Sequence, residues 1–178
     1  PGHAVAGRIR FACPIRRRTG NDNSVEGSRL VNEIREIARG LRFPEGPVAL
    51  PNGDVVLVEI ERGTLTSVHP DGTQTVIANC EGGPNGAALG PDGNFYVCNN
   101  GGFEWEVADG FLRPTVQAGS YIGGRIQVVE AETGVVRTLY ERCGDHLLKG
   151  PNDIVFDSHG GFYFTDLGKT RAREADRG

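Results

Sequence analysis

The sequence predicts an all-β fold, a meander of antiparallel hairpins, and three observations predict it. Short apolar runs rich in β-branched and aromatic residues recur between residues 55 and 166. The segments between them, such as PNGD, HPDGT, PDGN, ETG and SHGG, carry the glycine, proline and Asx chemistry of tight turns. No long helical period interrupts the series.

The elements follow in order. Residues 1–31 hold six arginines, three of them in the run Arg16-Arg17-Arg18, against two acids. They show neither helical nor strand periodicity, and no aromatics interleave with the arginine run to stack bases. A disordered or foreign leader is expected there rather than a nucleic-acid arm. From residue 32 the texture changes. EIREIARGLRF is open to two readings, a turn of helix or an edge strand ahead of Pro44. Strands are then expected at 55–60, 64–69, 74–79, 94–99, 124–131, 135–142 and 161–166.

Composition narrows the classes. With 178 residues the chain is long enough for one sizeable core. A net charge of −4 gives no footprint for nucleic acid. No run approaches the roughly 18 apolar residues of a membrane helix, and no secretory h-region is visible. The four cysteines have no CxxC spacing, so idle thiols in a reducing, cytoplasmic setting are expected. The chain has no methionine and ends in the polar KTRAREADRG, so a piece of a longer protein is expected.

An internal repeat carries the functional reading. Glu45, Asn85 and Asn152 each follow a proline ahead of a short apolar run, and Glu59, Asn99 and Asp166 lie 14 residues beyond them. A strand, a turn and an antiparallel return bring both slots to one end of each hairpin. The slots stand 40 and then 67 residues apart, and the longer interval holds an insertion at 101–123 that must loop out. A period of about 40 residues with about four strands is that of a β-propeller blade, and some two and a half blades are expected here. The first strand of a blade lines the central channel, so Glu45, Asn85 and Asn152 would ring its mouth. One carboxylate and two carboxamides are hard oxygen donors suited to Ca²⁺, Mg²⁺ or Mn²⁺, and tolerably to Zn²⁺. The alternative is that such residues only hydrogen-bond the turn backbone.

The stretches LRFPEGPVALPNGD, GPNGAALGPDGNFYVCNNGG and KGPNDIVFDSHGGFYFTD resemble the regucalcin/gluconolactonase/luciferin-regenerating-enzyme family over residues 33–178. The resemblance implies a six-bladed propeller with one divalent metal on its axis, Ca²⁺ foremost. It implies that Glu45 and Asn152 are metal ligands and that Asn85 contacts substrate or metal. The implied activity is hydrolysis of a sugar lactone or related ester, with a small-molecule lactone as partner. The family's aspartate base is expected downstream of residue 178, so the chain by itself is expected to be inactive. Asn99 and Trp105 are further candidates for contacting substrate, Trp105 because the insertion, which also carries Phe103, Phe111 and Tyr121, leaves the chain at the slot end. A non-metal enzyme resembling strictosidine synthase and an NHL-like binding propeller remain as alternatives.

Overall fold

The computed structural model describes residues 7–12, 34–170 and 175–176, with side chains over 34–170. The remainder of the leader, and with it the expectation of disorder there, lies outside the described residues. Strand β1 (Gly7–Ala12) pairs antiparallel with β2 (Ile34–Leu41). Of the two readings open for EIREIARGLRF, the strand is the one formed. Ala38 and Leu41 explain the choice, since both bury against Val55, Leu57 and Val68 of the next sheet.

Two four-stranded sheets follow. The first runs β3 (Pro44–Ala49), β4 (Val55–Glu59), β5 (Thr64–Val68) and β6 (Gln74–Asn79) in simple meander order. The second is built from β7 (Pro84–Leu89), β8 (Phe95–Asn99), β11 (Arg125–Val129) and β12 (Val136–Tyr140). Between β8 and β11 the insertion departs, and pairing resumes beyond it with Arg125 opposite Asn99. The insertion was expected as a loop; it is a hairpin of β9 (Phe103–Ala108) and β10 (Phe111–Gln117). Its alternating FEWEVA pattern fits a strand covered on one face.

Short pairs β13 (Arg142–Cys143) with β14 (His146–Leu147) and β17 (Lys169–Thr170) with β18 (Ala175–Asp176) flank a third hairpin, β15 (Pro151–Phe156) with β16 (Phe162–Asp166). Among the described residues no helix is long and apolar enough to cross a membrane.

The sheets stack face to face, which accounts for the continuous burial of β4, β5 and β11. One core layer joins Val56, Val58 and Leu65 of the first sheet to Phe95, Val97 and Val129 of the second. The next joins Cys98, Ile126 and Leu148 to Ile154, Phe162 and Phe164 of the third. The third hairpin keeps one face open, with Val155 and Tyr163 exposed.

The repeat is a repeat of register. Pro44 stands opposite Glu59, Pro84 opposite Asn99 and Pro151 opposite Asp166. Each ladder then shifts register within the next few residues of the first strand. Proline tolerates this position because a strand's first residue need not donate, and the shift re-aims the residue that follows it.

Candidate functional site

The first strands β3, β7 and β15 lie side by side, and two glycines permit the approach. A Cβ on Gly46 would stand 2.6 Å from the backbone nitrogen of Ala87. A Cβ on Gly86 would stand 2.3 Å from the carbonyl oxygen of Asn152. Each glycine directly follows a slot residue, so the PEG and PNG triplets encode both a polar group and the closeness of its neighbour.

Two of the three slot residues, Asn85 and Asn152, are in direct contact. Asn85 Nδ2 donates to Asn152 Oδ1 at 2.6 Å, across 67 residues of chain. Asn152 Nδ2 in turn donates to Asp153 Oδ2 at 3.4 Å. Glu45, at the equivalent place on β3, is exposed. Among the described residues no group of three His, Cys, Asp or Glu side chains converges. Any cation held here would therefore rest on the mixed carboxylate–carboxamide set of Glu45, Asn152 and Asn85. The chemistry of that set fits a hard ion: oxygen donors throughout, with Asn152 Oδ1 keeping a second lone pair.

The second slots do something else. Asp166 accepts from the backbone N–H of Lys149 at 2.8 Å, Gly150 at 2.7 Å and Gly168 at 2.9 Å. Asn99 Oδ1 accepts from Gly83 at 3.0 Å and Gly101 at 2.9 Å, the same two relative positions as Gly150 and Gly168. Its Nδ2 donates to the Glu81 carbonyl at 2.7 Å and to Gln127 Oε1 at 2.9 Å. Glu59 accepts from the Arg42 N–H at 2.6 Å, the Arg62 guanidinium at 2.7 Å and the Thr66 hydroxyl at 2.8 Å. Each blade thus clamps the segment feeding its own axial residue. Asn99 is 0 % exposed and its carboxamide is fully engaged, which corrects the expectation that it touches substrate. Asp166, on the return strand, likewise holds backbone donors.

The insertion that carries the hairpin β9–β10 touches all three segments leading to the slots. Trp105 packs on Phe43, two residues ahead of Glu45, with ring centroids 5.0 Å apart. Gly102, at its base, lies against Gly82 and Gly83. The Tyr121 hydroxyl donates to the Lys149 carbonyl at 2.8 Å. Lys169 ties the hairpin to the third blade: its buried Nζ sits 3.7 Å from the Phe103 ring centre and donates to the Gly102 carbonyl at 2.7 Å and to Asn100 Oδ1 at 3.2 Å. Burial pushes its amine down to about 8. Lys169 and Phe43 carried no signal in the sequence, because nothing local links them to the slots. Cys80 and Cys98 are buried, with thiols pushed up to about 12 by desolvation, and offer no nucleophile.

The decisive match is to a family described as the SMP-30/gluconolactonase/LRE-like region, over residues 43–178. The chain belongs to the SMP-30/gluconolactonase/LRE-like family. No curated protein matches it significantly. Among solved structures, a candidate gluconolactonase from a structural genomics consortium is similar with a TM-score of 0.54 and 19% identity, over 75% of this chain and 39% of that one. A gluconolactonase of Xanthomonas campestris is similar with a TM-score of 0.53 and 21% identity, over 71% of this chain and 36% of that one. A chain of the nidogen/laminin complex reaches a TM-score of 0.60 at 18% identity, over 92% of this chain and 51% of that one. These likenesses establish the fold: the SMP-30-like chain is part of a β-propeller, two four-stranded blades followed by the inner hairpin of a third. It spans well under half the length of the two gluconolactonase structures.

Proposed function

We propose that this chain contributes half of the active site of a metal-dependent lactonase that hydrolyses a sugar lactone or related ester. One observation carries the reading: Glu45, Asn85 and Asn152 share one end of three adjacent first strands, joined by the Asn85–Asn152 hydrogen bond. Family membership makes this end the place to look for chemistry.

Glu45 and Asn152 would hold a divalent ion, Ca²⁺ foremost with Mg²⁺, Mn²⁺ and Zn²⁺ as rivals, and Asn85 would stand beside them. Bound there, such an ion supplies Lewis-acid polarisation of the ring carbonyl. The chain's own residues orient and enclose. The clamps at Glu59, Asn99 and Asp166 set the backbone of the three slots, and the β9–β10 hairpin, with Trp105 packed on Phe43, would present an apolar wall on the Glu45 side. Neither Asp166 nor Glu59 is free to take a proton from water, since both serve as acceptors for structural donors. In this reading the general base is supplied from downstream of residue 178, as the family resemblance implies.

With at most three protein oxygens against the six to eight of a calcium site, the 178-residue chain alone is expected to bind Ca²⁺ weakly. In the full-length protein, Glu45→Gln should abolish lactone hydrolysis and lower Ca²⁺ affinity with unchanged thermal stability. Full activity in that variant, or in chelated wild type, would overturn the metal-dependent reading in favour of a non-metal enzyme, whereas a full-length protein that turns over no lactone would favour a binding propeller.

A further inference from the structure

We infer that Asn85 is a positioning residue whose carboxamide N–H fixes which end of the Asn152 side chain faces the axis. The inference rests on the metal-site reading of Glu45 and Asn152 and goes beyond it by giving Asn85 a role other than ligand or substrate contact.

A carboxamide has two ends of nearly equal shape and opposite chemistry. Only its oxygen can hold a cation or accept from a substrate hydroxyl; its nitrogen only donates. Rotation of the terminal torsion exchanges them, so an asparagine works as a ligand only when its neighbours favour one orientation. Two neighbours of Asn152 do so in the same sense. Asn85 Nδ2 donates to Asn152 Oδ1 at 2.6 Å, and Asp153 Oδ2 receives Asn152 Nδ2 at 3.4 Å. Exchanging the ends of Asn152 alone would set donor against donor at Asn85 and acceptor against acceptor at Asp153; a matching turn of Asn85 relieves the first clash, but the carboxylate of Asp153 has no donor to offer and the second remains. The geometry leaves Oδ1 one lone pair for an ion while Asn85 occupies the other.

The fold spends a glycine on this contact. Asn85 reaches β15 because Gly86 lets the two strands close up, a Cβ there standing 2.3 Å from the Asn152 carbonyl oxygen and 2.9 Å from the Asp153 Cα. The register shift between Pro84 and Gly86 turns the Asn85 side chain out of the regular ladder. The Asp166 carboxylate holds the other side of the arrangement by fixing Lys149 and Gly150, the two residues before Pro151. Asn152 is thereby set through its backbone by Asp166 and through its side chain by Asn85.

The inference and its rival make opposite predictions for one substitution. If Asn85 were itself a ligand, Asn85→Asp would add charge and tighten the ion. If it orients Asn152, Asn85→Asp removes the donor, faces Oδ1 with a carboxylate and turns the nitrogen toward the axis. Tb³⁺ luminescence titration of the full-length protein, with Ca²⁺ as competitor, measures the difference. Kd should rise about tenfold or more in both Asn85→Asp and Asn85→Ala, the usual consequence of losing a ligand's orienting partner.

Asn152→Asp supplies the control that a merely structural role would not pass. A carboxylate has no wrong end, so in that background Asn85→Ala should change Kd less than about threefold, leaving a large coupling in the double-mutant cycle. Tighter binding in Asn85→Asp, or an equal loss in both backgrounds, would overturn the inference. A metal-free readout separates it from the reading beneath it: the Asn85 side-chain amide should show one downfield, slowly exchanging proton that Asn152→Ala removes. If wild type binds no ion while that proton is present, the metal reading fails and the orienting bond stands. If the proton is absent, the orienting bond itself is refuted.

Discussion

Replacing Asp166 with alanine should cost the fold about 3–4 kcal/mol, most of it through three stranded amides. The carboxylate accepts from Lys149, Gly150 and Gly168 at 2.7–2.9 Å, in a half-buried position between the second and third blades. A hydrogen bond to a charged acceptor contributes roughly 1.5–3 kcal/mol, and the partial exposure puts each of these near or below the lower end. Against a total stability on the order of 5–15 kcal/mol, the loss is large. Asp166→Asn is the informative companion. Asn99 already fills this slot in the second blade and accepts from the same two relative positions through one oxygen. An asparagine at 166 should therefore keep the Gly150 and Gly168 bonds, lose only that from Lys149, and cost about 1–1.5 kcal/mol. Urea unfolding at constant m-value reads both numbers. An alanine variant within 1 kcal/mol of wild type, or an asparagine variant as damaged as the alanine, would refute the clamp.

Three further outcomes are expected. Gly86→Ala should destabilise by about 3 kcal/mol or more, because its Cβ meets backbone rather than a movable side chain, and Tm should fall accordingly. Lys169, with its amine near 8 in the fold and near 10.5 when unfolded, binds its proton less tightly in the native state. The unfolded chain then holds more protons above pH 8, so stability should rise by roughly 1.3 kcal/mol from pH 7 to pH 9 on this account. The comparison with Lys169→Met isolates that rise, since Cys80 and Cys98, holding their protons to about 12, act in the opposite sense at higher pH. Trp105→Ala in the full-length protein should raise KM for the lactone several-fold with kcat little changed; an unchanged KM in a stable variant would show that the hairpin only packs on Phe43.

The blade architecture was legible in the sequence because its determinants are local. Turn chemistry at PNGD and PDGN, the apolar run of β4, and the recurrence of a proline-led polar slot each act over a few residues. Pairing of Pro44, Pro84 and Pro151 with residues 15 positions later follows from a hairpin of constant length. The insertion misled because its alternation is broken by Pro114 and by a register shift before Gln117, and the hairpin gains its stability from contacts with distant segments.

What tertiary structure alone decided is the division of labour among like residues. Asn85, Asn99 and Asn152 look alike in sequence, yet Asn99 is sealed among backbone amides while Asn85 and Asn152 face one another across adjacent blades. That outcome depends on which face of a shifted ladder each side chain takes and on how closely a neighbouring blade approaches. Both are set by packing between segments tens of residues apart. Burial of the Lys169 amine beneath Phe103 belongs to the same class: only the stacking of blades brings residue 169 to residue 102.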